Sequence, residues 1–372
     1  MAHRTRPPFR ADHVGSLLRP KHLLQARTDH ADGKIDAAEL RALEDEAIRG
    51  IVKMQEDVGL QSATDGEFRR SSWHMDFIYQ LDGITKEAGE IAVKFFNEDG
   101  EIEFTPAALH IDGKLGVSKT IFGDDFAFLQ QTVTKNVPKL TIPSPSMVHY
   151  RGGKAAVDPA VYADLDAFWA DLVAAYREQV RRIGELGCTY LQFDDTSLAY
   201  VNDPHQREYI ASIGGDPERQ HVEYIRHINE ALAERPEGMS VTTHLCRGNN
   251  QSMWAAEGGY DFVAEALFGG LDVDGFFLEY DDARSGGFEP LRFVPPGKRV
   301  VLGLVTTKRP QLESTDDLKR RIDEASTFVP LEQLALSGQC GFSSTVEGNS
   351  LTRDEQIAKL ELIVQTAEEV WA

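Results

Sequence analysis

The chain has 372 residues, of which 41% are hydrophobic and 9% aromatic, so it can bury a large core within one domain of ordinary size. Its formal net charge of −21 argues against nucleic acid or an anionic membrane surface as partner, since either would repel it at long range. The first ten residues lack the apolar core of a secretory signal and no stretch approaches a membrane span, so a cytoplasmic location is expected. The only cysteines, Cys188, Cys246 and Cys340, suit free thiols in a reducing compartment.

Along the chain, the first strand candidate is 12–15. From Asp36 to Val58, the residues Leu40, Leu43, Ala47, Ile51, Met54 and Val58 share one helical face, and Asp36 with Glu39 resembles a capping box. Strand candidates follow at 61–65 and 139–143. The spacing predicts a long helix over 158–186, with Pro159 in its first turn and Gly187 as C-cap. Beyond it come strand-like 190–193, helix-like 218–234, strand-like 240–243, helix-like 253–268, and strand-like 273–278 and 299–304. Helix-like 315–328, strand-like 333–337 and a last helix at 353–371 complete the series. Strands alternating with helices mean parallel βα units, and eight strand candidates are the number that closes a barrel. The expected fold is therefore α/β, with residues 1–372 as a single (β/α)8 TIM barrel; a doubly wound open sheet is the alternative. Alternating residues in Ile91–Phe96 and Ile102–Phe104 break the rhythm and predict an inserted β-hairpin near residues 85–116.

The chemistry concentrates late in the chain. Val241-Thr-Thr-His244-Leu-Cys246 ends the fifth strand candidate with His and Cys two residues apart, a spacing that aims both side chains to one side. Glu279 ends the sixth, after Gly275-Phe-Phe-Leu278, and Cys340 follows the eighth in Ser337-Gly-Gln-Cys340-Gly. Barrel enzymes place their chemistry at such strand ends. Two thiolates with an imidazole select zinc among common metals, and a carboxylate can be an exchangeable fourth ligand. The competing reading is ordinary core cysteines and a satisfied histidine. Cys188, which precedes a strand at the opposite face, is read as structural.

Taken together, His13-Val-Gly-Ser16, Asp65-Gly-Glu67-Phe68, Phe193-Asp194-Asp195, His244-x-Cys246, Glu279 and Cys340-Gly341 resemble, in the same order, the cobalamin-independent methionine synthase family, particularly its short stand-alone catalytic-barrel members. The resemblance covers nearly the whole chain. It implies a zinc cofactor held by His244, Cys246, Glu279 and Cys340, which binds the homocysteine sulfur as thiolate. It further implies Ser16 and the backbone around Gly15 as contacts for the amino-acid carboxylate, and Glu67 and Asp194 as contacts for its ammonium group.

The chain also departs from that family. Nothing supplies the second barrel that binds the polyglutamate tail of the folate donor, Pro145 takes the place of a tryptophan that packs on the pterin, and Lys308 falls where the family has a catalytic histidine. Asp194 and Lys308 are accordingly the catalytic candidates, and Trp73 and His74 are candidates for the donor side of the pocket. The function expected is a zinc-dependent S-methyltransferase that makes methionine from homocysteine or a close analogue, with a donor such as folate monoglutamate or a methylcorrinoid. Two alternatives stay open: a zinc alkyltransferase for another thiol, like the epoxyalkane:coenzyme M transferases, and a non-catalytic zinc- or thiol-binding protein. Neither nucleic acid nor membrane is expected as partner.

Overall fold

The computed structural model describes residues 5–87, 93–98, 100–105, 108–150 and 152–372. Twelve strands are present among them: β1 (Ser62–Ala63), β2 (Asp82–Glu87), β3 (Val93–Asn97), β4 (Gly100–Phe104), β5 (Ala108–Gly116), β6 (Val137–Pro138), β7 (Leu140–Pro143), β8 (Tyr190–Asp195), β9 (Ser240–Leu245), β10 (Gly275–Glu279), β11 (Arg299–Val305) and β12 (Leu334–Gly338). The last six form one parallel sheet in the order β12-β11-β10-β9-β8-β7. Every residue of β7 to β10 is buried, as parallel strands covered by helices on the crossover side must be.

Hydrogen bonds continue past both edges of this sheet. Beyond β12, Ala11 bridges Leu336: the Leu336 amide donates to Arg10 O and the Asp12 amide to Leu336 O. Beyond β7, the chain arrives from β6, which pairs in parallel with β1. These two flanks also meet each other, since the Leu17 amide donates to Gly66 O and the Thr64 hydroxyl to Gly15 O. The expected strand at 12–15 is thus reduced to a bridge around Ala11. Its backbone turns away immediately, with Gly15 at φ 144°, because a Cβ there would stand 2.7 Å from Thr141 Cγ2.

Asp12 is the polar hub inside this ring of segments. It accepts from the amides of Phe9 and His13, from Ser62 Oγ at 3.0 Å and from Tyr190 Oη at 2.8 Å, and it faces Lys139 Nζ at 3.5 Å. Lys139 is fully buried, donates to His13 O, and lies over the Phe277 ring. A buried ammonium is tolerated only with such partners.

The helix of residues Ala37–Asp57 carries the expected capping box, Asp36 accepting from the Ala38 and Glu39 amides while Glu39 accepts from the Asp36 amide. Two helix expectations need correction. The long helix spans Leu165–Glu185, not 158–186: Asp164 caps it, and Asp158 instead closes a turn by accepting from the Ala160 amide. The stretch 253–263 is loop, and only Ala264–Gly270 is helical. There Trp254 exchanges both backbone hydrogen bonds with Phe96, and the Ala255 and Ala256 amides donate to Arg247 O, so tertiary partners satisfy the backbone in place of a helix.

The expected hairpin is a longer ribbon: β2 pairs antiparallel with β5, and β3 with β4. Part of the segment in which it was expected, including Ile91, lies outside the described residues. Among the described residues, no helix is long and apolar enough to cross a membrane.

Removing the Asp12 carboxylate strands the Lys139 charge and four other donors. Asp12→Ala should therefore lower unfolding stability by about 3–5 kcal/mol, read from the shift of a urea transition. A shift below about 1 kcal/mol would contradict the hub assignment.

Candidate metal centre and substrate cavity

His244 lies near the end of β9 and Cys246 just past it, where the Cys246 amide donates to Asp195 O and prolongs the extended backbone. Glu279 is the last residue of β10, and its strand pairs with β9 so that Phe277 stands beside His244. Cys340 follows β12 by two residues, in a turn held by Thr307 Oγ1 and Asn249 Nδ2, both of which donate to Gly341 O. Gly341 has to be glycine, because a Cβ there would stand 1.9 Å from Ser16 Oγ. The four ligand atoms of His244, Cys246, Glu279 and Cys340 come within 4.8 Å of one another, and all four residues are buried.

Their electrostatics are those of a cation site. The hydrogen bond between the two thiols, Sγ to Sγ 3.5 Å, holds Cys340 well below the usual thiol range and Cys246 well above it. Burial opposes the imidazolium of His244, but the nearby Cys340, with the charges of Asp194 and Glu279, outweighs it and the net shift is upward. Burial also raises Glu279, against the opposing charge of Lys308. Tetrahedral zinc with Zn–S near 2.3 Å sets two thiolates about 3.8 Å apart, close to the observed separation. One imidazole, two thiols and one carboxyl are a borderline-soft donor set, so the residues present fit zinc.

Two arginines hold the carboxylate that completes this set. The Arg247 amide donates to Glu279 Oε1 at 2.9 Å, and Arg284 Nη2 lies 3.4 Å from Oε2. The Arg247 guanidinium is spent on Gly258 O, Tyr260 Oη and Glu279 O. Neither arginine was singled out from the sequence, although Arg247 adjoins Cys246 and Arg284 ends an Asp-Asp-Ala-Arg run. Lys308 is buried, and its charge acts on Glu279 and Cys340. It does not line the cavity described next.

His244, Cys246 and Cys340 form part of the wall of a cavity of about 470 Å³. Ser16, Glu67, Asp194, Trp73 and His74, all sequence candidates, also line it. Gly15 sits behind this wall. Glu67 has φ 61°, an uncommon conformation that turns its carboxylate to Thr141 Oγ1 at 2.8 Å and to Arg70 at 3.6 Å. Asp194 accepts from Gln192 Nε2 at 2.7 Å, and burial, with the nearby Glu67, pushes its carboxyl up to about 7 against the opposing charge of His244. Residues not anticipated in the wall include Tyr200 and Asn249, together with Val93, Phe95 and Ile102 of the β-ribbon. Cys188 donates to Tyr190 O and is pushed up to about 12 by burial, as a structural thiol would be.

A parallel α/β sheet with an imidazole, thiol and carboxyl cluster at its strand ends defines the class of protein. Residues 151–369 match the family model described as the catalytic domain of cobalamin-independent synthase. The chain is 45% identical over 365 residues to the uncharacterized protein YxjH of Bacillus subtilis, covering 98% of this chain and 95% of that relative. It is 22% identical over 331 residues to a methionine synthase of Pyrococcus abyssi, covering 88% and 84% of the two chains. The solved structure of a putative vitamin-B12-independent methionine synthase from Listeria monocytogenes superposes with a TM-score of 0.79 at 38% identity, covering 99% of this chain and 100% of that one. The fold is shared as well by a B12-independent methionine synthase from Shewanella solved with selenomethionine, with a TM-score of 0.71 at 18% identity, covering 97% of each chain. The chain belongs to the cobalamin-independent synthase family.

Two outcomes follow from the site. Cys246→Ser or Cys340→Ser should remove most bound zinc, measured by elemental analysis against about one zinc per parent chain, while circular dichroism stays unchanged. In the metal-free protein, the raised carboxyl of Asp194 binds its proton more tightly folded than unfolded. Its contribution to stability is thus complete below about pH 4 and is lost as pH rises towards 7. Asp194→Asn should flatten that decline in urea transitions followed from pH 4 to 8, and an unchanged slope would contradict the assignment.

Proposed function

We propose that this chain is a single (β/α)8 barrel over residues 1–372 and a zinc-dependent S-methyltransferase that converts homocysteine, or a close analogue, to methionine. The hydrogen bonds that join the Ala11 and β1–β6 flanks to the six-stranded sheet support the closed barrel. One observation carries the functional reading: a buried two-thiol, imidazole and carboxyl cluster opens onto the same cavity as two buried carboxylates, Glu67 and Asp194. The names of the relatives agree with it.

Zinc bound by His244, Cys246, Glu279 and Cys340 would hold the substrate sulfur as a thiolate at neutral pH, so no general base is needed there. The protein's own task is then to orient the amino acid. Glu67 and Asp194 present carboxylate oxygens to an ammonium group, and a cation between them would return Asp194 to its ionised form. Ser16, whose Oγ lies beside Gly341 next to Cys340, would donate its hydroxyl to the amino-acid carboxylate. Lys308, behind the cluster, serves as a fixed positive charge opposite the thiolates and Glu279. A sulfonate thiol would ask for cations in the cavity, and among the described residues neither lysine nor arginine lines it, so the described wall lends the alkyltransferase alternative no support.

The decisive assay is methionine formation by the zinc-loaded protein from homocysteine and a methyl donor. Asp194→Asn should lower kcat/KM for homocysteine by about thirtyfold or more, ~2 kcal/mol at least, without changing zinc content. Simple alkyl thiols carry no ammonium and should react equally with variant and parent. Unchanged homocysteine kinetics in Asp194→Asn and Glu67→Gln would overturn the reading.

A further inference from the structure

The donor half of the cavity has a composition of its own. Trp73 and His74, whose rings lie 4.3 Å apart, face it from the loop after β1, and Val93, Phe95 and Ile102 from the β-ribbon. The ribbon is held over the mouth by the reciprocal backbone bonds of Phe96 with Trp254 and by the ion pair of Glu98 with Arg309 at 2.9 Å. Among the described residues, four carboxylates line the cavity, Glu67, Asp194, Glu103 and Glu347, but no lysine or arginine does. Lys94 of the ribbon is already engaged, by Glu101 and Glu103.

A second, independent feature has the same sign. Asn249 is 5% exposed and lines the cavity; its amide nitrogen is used by Gly341 O, while its Oδ1 is buried without a hydrogen-bond partner. Such an acceptor calls for a donor or a cation. The wall offers aromatic faces and carboxylates, the set that recognises onium ions, with the unpaired Asn249 acceptor just behind it. A polyanionic donor tail would meet like charge at these four carboxylates.

We propose that the methyl donor is a small onium ion, a sulfonium or quaternary ammonium compound, bound between the Trp73–His74 loop and the β3–β4 ribbon. This rests on the methyltransferase reading above and specifies its second substrate. In the step, the acceptor thiolate forms a new S–CH3 bond as the donor's S–CH3 or N–CH3 bond breaks. The bonding pair stays on the donor heteroatom, which leaves as a neutral thioether or amine; the thiol proton has already gone to solvent. An anion and a cation become two neutral products, a change that a water-poor cavity favours.

The test has a catalytic arm and a binding arm, both on the zinc-loaded protein. With homocysteine present, S-methylmethionine, glycine betaine, 5-methyltetrahydrofolate with one or three glutamates, and methylcobalamin are compared as donors. One of the two onium compounds should give methionine with kcat/KM at least about tenfold above the others. Preference for a folate or the corrinoid, or transfer from none while homocysteine still binds with proton release, overturns the onium assignment. In the binding arm, calorimetry without thiol should detect trimethylsulfonium. Its affinity should fall about tenfold in Trp73→Leu and recover in Trp73→Phe, with zinc content and homocysteine binding constant. Absence of trimethylsulfonium binding to the parent overturns the proposal whatever thiol is used. Onium binding without homocysteine binding would instead sink the homocysteine reading and leave the onium site standing.

Discussion

Burying two thiols, a carboxyl and an imidazole within 4.8 Å of one another is the constraint around which the rest of the site is organised. Deprotonated, three of the four are anions, and their mutual repulsion in a buried place has to be met by cations. The protein supplies part of that charge permanently, through Arg284 on Glu279 and Lys308 behind Glu279 and Cys340. A divalent ion bound there, as proposed, would complete it. Without one, the hydrogen bond between the two thiols pushes Cys246 up and Cys340 down.

The scaffold achieves this convergence with short-range rules. Parallel strands end at one level, so His244, Glu279 and the turn before Cys340 reach the same rim from β9, β10 and β12. Tight contact finishes the alignment: Gly341 admits Ser16 Oγ, which brings Ser16 against the turn that carries Cys340, and Gly15 admits the Thr141 methyl. The β-ribbon is the one large departure from the βα rhythm. Its residues Val93, Phe95 and Ile102 line the cavity, while Phe96 packs against Trp254.

Much of this was legible from local pattern alone. The Asp36–Glu39 capping box, the βα alternation and the His-x-Cys spacing are signals written within a few residues; the structure forms the box and the alternation, and brings His244 and Cys246 together with Glu279 and Cys340. Where local signals competed, the reading failed: Pro159 looks like a helix start, but Asp164 is the better cap and Asp158 is drawn into a turn. The helical periodicity near 253–263 is genuine but is overridden by pairing with Phe96, a partner far away in sequence. Arg247, Arg284, Thr141 and Gln192 were not singled out for the same reason. Their roles are to hold Glu279, Glu67 and Asp194, and such roles exist only once distant strands have been brought together.

The central claim is that the substrate sulfur binds the ion held by His244, Cys246, Glu279 and Cys340. Zinc K-edge X-ray absorption on the loaded protein, with and without homocysteine, tests it most directly. The protein alone should show about two sulfur neighbours near 2.3 Å, and homocysteine should raise the count to about three while a light-atom neighbour is lost. An unchanged shell at saturating homocysteine, with methyl transfer intact, would contradict the account.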